Sequence, residues 1–109
     1  MMAIGSGFVD KGGAILLYRS SDLRKWAYMH PLIEGRPSFE SAVNPVDNGN
    51  MWECPDFFPL GGKHVLLIST KGLVLWKVGT YKEHRFNVEK EGVVDYGAYY
   101  AARTQLARD

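Results

Sequence analysis

The stretch MWECPDFFPLGG, residues 51 to 62, places Glu53, Cys54 and Asp56 within four positions and surrounds them with Trp52, Pro55 and paired phenylalanines. Carboxyl groups this close together can serve acid–base chemistry. A tryptophan and a proline beside a glutamate partly exclude water, and desolvation favours the neutral carboxyl, the form a general acid needs. Asp56 is a second acceptor able to hold a sugar hydroxyl. The bland alternative is a solvated glutamate at the mouth of a strand, with Trp52 and Phe57 in the core. Elsewhere, Ser6, His30 and His64 occur in unrelated strand or turn contexts without a nucleophile elbow, which argues against a serine triad. These two histidines and His84 read as ordinary surface or strand residues, and Tyr18, Trp26, Trp76 and Tyr81 as packing aromatics.

The elements that must hold this stretch belong to one domain or to part of a larger one, since the chain has 109 residues. Hydrophobic residues make up 46% and charged residues 23%, so the chain should fold around a core rather than stay disordered. A formal net charge of +1 gives no field to gather nucleic acid or an anionic membrane. Cys54 is the only cysteine, which excludes an internal disulfide and a cysteine-rich zinc site. No phosphate-cradling glycine motif or histidine pair at metal spacing occurs, so neither cofactor nor metal is expected. The opening MMAIGSGFVDKGG lacks a basic segment followed by a long apolar run, and no stretch approaches the roughly 20 apolar residues of a membrane span. The compartment is left open.

Short strands separated by turn residues run along the whole chain. Met2 to Val9 ends in the turn cluster DKGG, and Ala14 to Arg19 is a buried strand. Ser20 or Ser21 with Asp22 forms a turn before a strand at 26 to 34, which Pro31 places at an edge or end. Residues 35 to 50 read as a long functional or mobile loop. Strands then follow at 55 to 60, 64 to 70 and 73 to 81; KEHR breaks the chain, FNVEKEGVVDYG continues it, and YYAARTQL makes a final strand. Helical periodicity is not sustained anywhere. Such spacing predicts an all-β fold: sandwich, barrel or propeller.

Three segments, GGAILLYRSSDLRKWAYMHPLIEG at 12 to 35, MWECPDFFPLGGKHVLLIS at 51 to 69 and VVDYGAYYAARTQ at 93 to 105, resemble glycoside hydrolase family 32, the invertases, levanases and inulinases, in the family's order. GTY at 79 to 81 follows at a plausible distance. The resemblance implies a five-bladed β-propeller with a central funnel and cleavage of terminal β-D-fructofuranosyl bonds with retention of configuration. An aspartate would attack the anomeric carbon while a glutamate protonates the leaving oxygen and later activates water. By motif, Glu53 matches the acid/base. Cys54 and Asp56 support it, Asp56 also as a substrate contact; Asp95 resembles the aspartate that binds the sugar and tunes the acid; Trp52 would line the funnel. The expected partner is a fructose-containing oligosaccharide or polysaccharide.

Departures from the family pattern matter as much. The nucleophile run of tryptophan, asparagine, aspartate and proline is absent, as is the arginine, aspartate, proline motif, and MMAIGSG resembles the strand that follows the latter. Plant members often carry a lysine where Ala98 stands, which points to a microbial-type member. Blades need about 40 to 50 residues each, so two to three blades fit. Residues 1–109 are therefore expected to be a partial catalytic propeller domain, without the nucleophile-bearing blade or the C-terminal β-sandwich, inactive alone and open to self-association through blade edges. The competing expectation is a non-catalytic β-rich module that binds carbohydrate or another chain. Sucrose, inulin and levan are not distinguished, nor hydrolysis from fructosyl transfer.

Overall fold

The computed structural model describes residues 1–35 and 49–107, so the expected loop at 35 to 50 lies mostly outside the described residues. Seven strands form: β1 (Met2–Phe8), β2 (Gly12–Arg19), β3 (Ala27–Glu34), β4 (Glu53–Leu60), β5 (Lys63–Thr70), β6 (Leu73–Lys82) and β7 (Arg85–Asp95). They make two antiparallel meanders, β1-β2-β3 and β4-β5-β6-β7, with no helix among the described residues. The all-β expectation holds. The two sheets stack in the same order, β1 lying against β4 and β3 against β7, as adjacent blades of a propeller do.

Local chemistry explains the hairpins. In the four-stranded sheet each connection is two residues with positive φ at both: Gly61 (57°) and Gly62 (79°), Lys71 (50°) and Gly72 (74°), Glu83 (52°) and His84 (59°). This is the type I′ geometry whose twist matches the strands. The first two pairs carry the glycine signal, whereas Glu83 and His84 adopt the left-handed region without it. Between β2 and β3, Asp22 Oδ1 accepts the backbone N–H groups of Arg24 (2.8 Å) and Lys25 (2.9 Å) and the Ser20 hydroxyl (3.0 Å). The Lys25 and Arg24 amides, followed by Ser20, hold the Asp22 carboxyl below the usual carboxylate range. The turn expected there is formed.

One expected strand does not form. Residues 99 to 106 have no strand structure. The N–H of Ala101 is taken by Ser69 Oγ and that of Thr104 by the Asp56 carboxylate, so side chains rather than a neighbouring backbone ladder bind the segment.

The core joins both sheets. Ile15, Leu17 and Leu32 from the first sheet meet Leu66, Ile68, Leu75 and Phe86 from the second, and Trp52 is buried among them. Phe57 adds edge contacts to Tyr81 and Phe86, with ring centroids 5.2 Å apart in each case. The run-in to β4 is stitched to each sheet. Trp52 N–H donates to Ser6 O (3.1 Å), Gly13 N–H to Gly49 O (3.1 Å), and the buried Thr70 Oγ1 to Met51 O (2.8 Å). Glycine in β1 makes this approach possible. A Cβ at Gly5 would lie 2.3 Å from Trp52 O, and one at Gly7 would lie 2.0 Å from Asn50 O. The GSG run at 5 to 7 is thus a backbone contact surface for the segment that delivers Glu53.

Candidate active site

Trp52 and Glu53 are consecutive, so their side chains leave the chain in opposite directions. Trp52 points into the core at 1% exposure, while Glu53 is exposed as the first residue of β4. The indole sits where a Cβ on Gly13 would fall 2.1 Å from its Cδ1 and one on Gly35 2.8 Å from its Cζ2. Lys77 Nζ lies 5.4 Å from the ring centroid and pairs with Glu91 Oε2 at 2.5 Å. The expectation that Trp52 lines a funnel and shields Glu53 is therefore corrected: the space left by two glycines draws the indole inward, and Trp52 joins the two sheets instead.

A β-bulge arranges the carboxylates. Between Glu53 and Asp56 the β4 strand advances three residues while its partner β5 advances two, from Ser69 to Leu67. Cys54, exposed and with φ of 48°, occupies the irregular position. Plain alternation would send Glu53 and Asp56 to opposite faces; one extra residue brings both to the face of Ser69 and Leu67. Cys54 thus contributes a left-handed backbone position to the bulge between the two carboxylates.

Residues 100 to 104 cross that face as a strap. Tyr100 Oη donates a hydrogen bond to Glu53 Oε2. Ala101 N–H donates to Ser69 Oγ at 3.0 Å, and Asp56 Oδ2 accepts from both Thr104 N–H (2.6 Å) and Thr104 Oγ1 (2.7 Å). Arg103 Nη1 reaches Pro55 O at 3.3 Å and stands 4.0 Å from Asp56 Oδ1. Asp56, read in the sequence as a sugar acceptor, is thus already engaged by the strap. The hydrogen bond to Glu53, with smaller contributions from burial and from the Glu53 charge, pushes the Tyr100 phenol up to about 12 from an ordinary 10.0.

That shift carries a pH dependence. A phenol raised in the folded state stabilises the fold in full below pH 10 and ceases to do so as pH rises toward 12. Alkaline unfolding followed by circular dichroism should therefore lose a component over this window when Glu53→Ala is introduced, because alanine has no acceptor for the phenol. Identical alkaline profiles for the two proteins would contradict it.

Asp95 ends β7 and is exposed, its Oδ2 accepting the Gly97 N–H at 3.0 Å. Pairing connects Glu53 to Ser69, Ser69 to Val74 and Val74 to Asp95, a single row across the four strands. Three strand spacings separate the ends of that row by about 14 Å between Cα atoms. Glu53, Cys54, Asp56 and Asp95 are thus gathered at one end of one sheet, with Tyr100 added. Tyr100 was missed by sequence reasoning because its segment looked like another strand.

An exposed glutamate thus opens the first strand of a sheet stacked as a propeller blade, with an aspartate at the same end of that sheet. The chain belongs to glycosyl hydrolase family 32: the family model described as "Glycosyl hydrolases family 32 N-terminal domain" matches residues 1–109. It is 33% identical to the sucrose-6-phosphate hydrolase of Klebsiella pneumoniae, covering 99% of this chain and 25% of that protein. With the fructan 1-exohydrolase w3 of Triticum aestivum it shares 32% identity over 94% of this chain and 20% of the relative. The Bombyx mori GH32 beta-fructofuranosidase BmSUC1 superposes with a TM-score of 0.73 at 33% identity, covering 96% of this chain and 24% of that one. A mutant of that enzyme has been solved in complex with sucrose. The chain spans about a quarter or less of the length of these relatives.

Proposed function

We propose that this chain supplies the acid/base part of a retaining enzyme that cleaves terminal β-D-fructofuranosyl bonds of sucrose or fructans. The observation that carries the reading is the exposure of Glu53 at the end of β4, in one strand row with Asp95. The names of the relatives, which describe hydrolases of sucrose phosphate and fructans, supply the substrate class.

In this reading a carboxylate from outside these 109 residues attacks the anomeric carbon, because the family's nucleophile run does not occur in the sequence. As the glycosidic C–O bond breaks, its electron pair goes to the leaving oxygen, which takes the Glu53 proton. The ionised Glu53 then removes a proton from water as that water displaces the carboxylate from the fructosyl carbon. Retention needs the two carboxyls roughly 5 to 5.5 Å apart, too close for an intervening water. Asp95 holds fructosyl hydroxyls, Cys54 keeps the bulge that turns Glu53 outward, and Asp56 serves Glu53 through the strap.

The 109-residue chain alone should show no hydrolysis of sucrose above background, since the covalent route needs both carboxyl roles. A chimera in which residues 1–109 replace the matching quarter of a full-length relative should hydrolyse it with release of the β-anomer of fructose first. Turnover by the isolated chain, or a folded chimera without activity, refutes the reading.

A further inference from the structure

We propose that Tyr100 is a positioning residue for Glu53, and that the strap of residues 100 to 104 exists to hold its hydroxyl against one oxygen of that carboxyl. The inference rests on the reading of Glu53 as the acid/base.

The two oxygens of an exposed glutamate are equivalent by rotation about its last bond, a broad torsion with little preference of its own. The Tyr100 hydroxyl removes that equivalence by donating to Oε2. A proton on the carboxyl must then sit on Oε1, the oxygen left to face a substrate. When Oε1–H passes its proton to the leaving oxygen, the bond from Tyr100 becomes a hydrogen bond to a full negative charge and strengthens. Tyr100 therefore favours the state formed as the glycosidic bond breaks, beyond fixing the direction of the transfer.

Four observations show that the strap is built to deliver this hydroxyl. Ser69, which accepts the Ala101 N–H, is 1% exposed and stands directly opposite Glu53 in the β4–β5 register. Ala102 is inserted at 4% exposure. Asp56 grips Thr104 through both its backbone and its hydroxyl. Ala101 has φ of 57°, a left-handed conformation that a residue with a Cβ adopts only where its surroundings impose it. The anchors thus lie one and four residues past Tyr100, with the backbone turned between them.

The test has two arms. In the chimera, Tyr100→Phe keeps the ring and removes the donor. Turnover of sucrose should fall about tenfold, the effect of one hydrogen bond to a charged group, with KM changed less than about twofold. A fructoside whose leaving group departs without protonation should lose less than about twofold in the same variant. Equal losses on both substrates, or none on sucrose, overturn the proposal. If Tyr100→Phe leaves sucrose turnover intact while Glu53→Gln abolishes it, only the role of Tyr100 fails; if Glu53→Gln has no effect, the acid/base reading fails as well. The second arm uses the 109-residue chain and needs no activity. The ring-carbon NMR signal of Tyr100 should titrate near 12 in the parent chain and near 10 in both Glu53→Ala, which removes the acceptor, and Asp56→Ala, which releases the strap. A Tyr100 that titrates at its ordinary value in the parent chain sinks the proposal.

Discussion

Glu53→Gln in the chimera is expected to lower sucrose turnover by about 10² to 10⁴, the range that general acid catalysis supplies. Glutamine keeps the size and shape of the side chain and can still accept the Tyr100 hydrogen bond through its carbonyl oxygen, but it has no proton of suitable acidity to transfer. Substrate binding should persist, because the change leaves Asp95 and the bulge at Cys54 in place. A fructoside with an acidic leaving group should lose far less in the first step, since that oxygen departs as a stable anion. The measurement is kcat for both substrates, parent against variant. Matched losses on the two, or no loss on sucrose, return residues 51 to 56 to the reading of a solvated glutamate beside a packed strand end.

Trp52→Ala is expected to cost about 3–5 kcal/mol of folding stability, as large aromatic truncations in cores do. Against total stabilities of about 5–15 kcal/mol, that loss removes most of the margin of a small domain. Trp52 touches glycines of the first sheet and Lys77 of the second, so its removal opens the joint between the sheets and takes the aromatic face from a lysine that is 2% exposed. Urea denaturation of the 109-residue chain checks it, with Tyr96→Ala, at a residue 76% exposed, expected within about 0.5 kcal/mol of the parent. A Trp52→Ala loss no larger than the Tyr96 control contradicts the role of the indole as the link between sheets. This change acts on the fold, whereas Glu53→Gln acts on chemistry, although the two residues are neighbours.

The all-β class, the hairpins and the family were legible in the order of the amino acids. Those features are local. Gly61 with Gly62 and Lys71 with Gly72 name their own turns, Asp22 binds amides two and three residues ahead, and the apolar strand segments lie between such turns. The motif WECPD makes Glu53 a candidate in the same way, from adjacent residues. The turn at Glu83 and His84 shows the limit even locally, since its left-handed pair carries no glycine and was legible only as a break.

Which way each candidate residue faces, and what it touches, follows from long-range packing. The direction of Trp52 depends on the space above Gly13 and Gly35, residues far from it in sequence. The shared face of Glu53 and Asp56 depends on pairing with β5, because a bulge is a mismatch between two strands and is not a property of either. Residues 99 to 106 have the apolar and aromatic content of a strand, yet Ser69 takes the Ala101 amide and Asp56 the Thr104 amide where a ladder partner would stand. The same capture brings Tyr100 to Glu53, 47 positions away. Local propensity fixes backbone conformation over a few residues, whereas the partner of a polar group is chosen by whatever the folded chain brings within hydrogen-bonding distance.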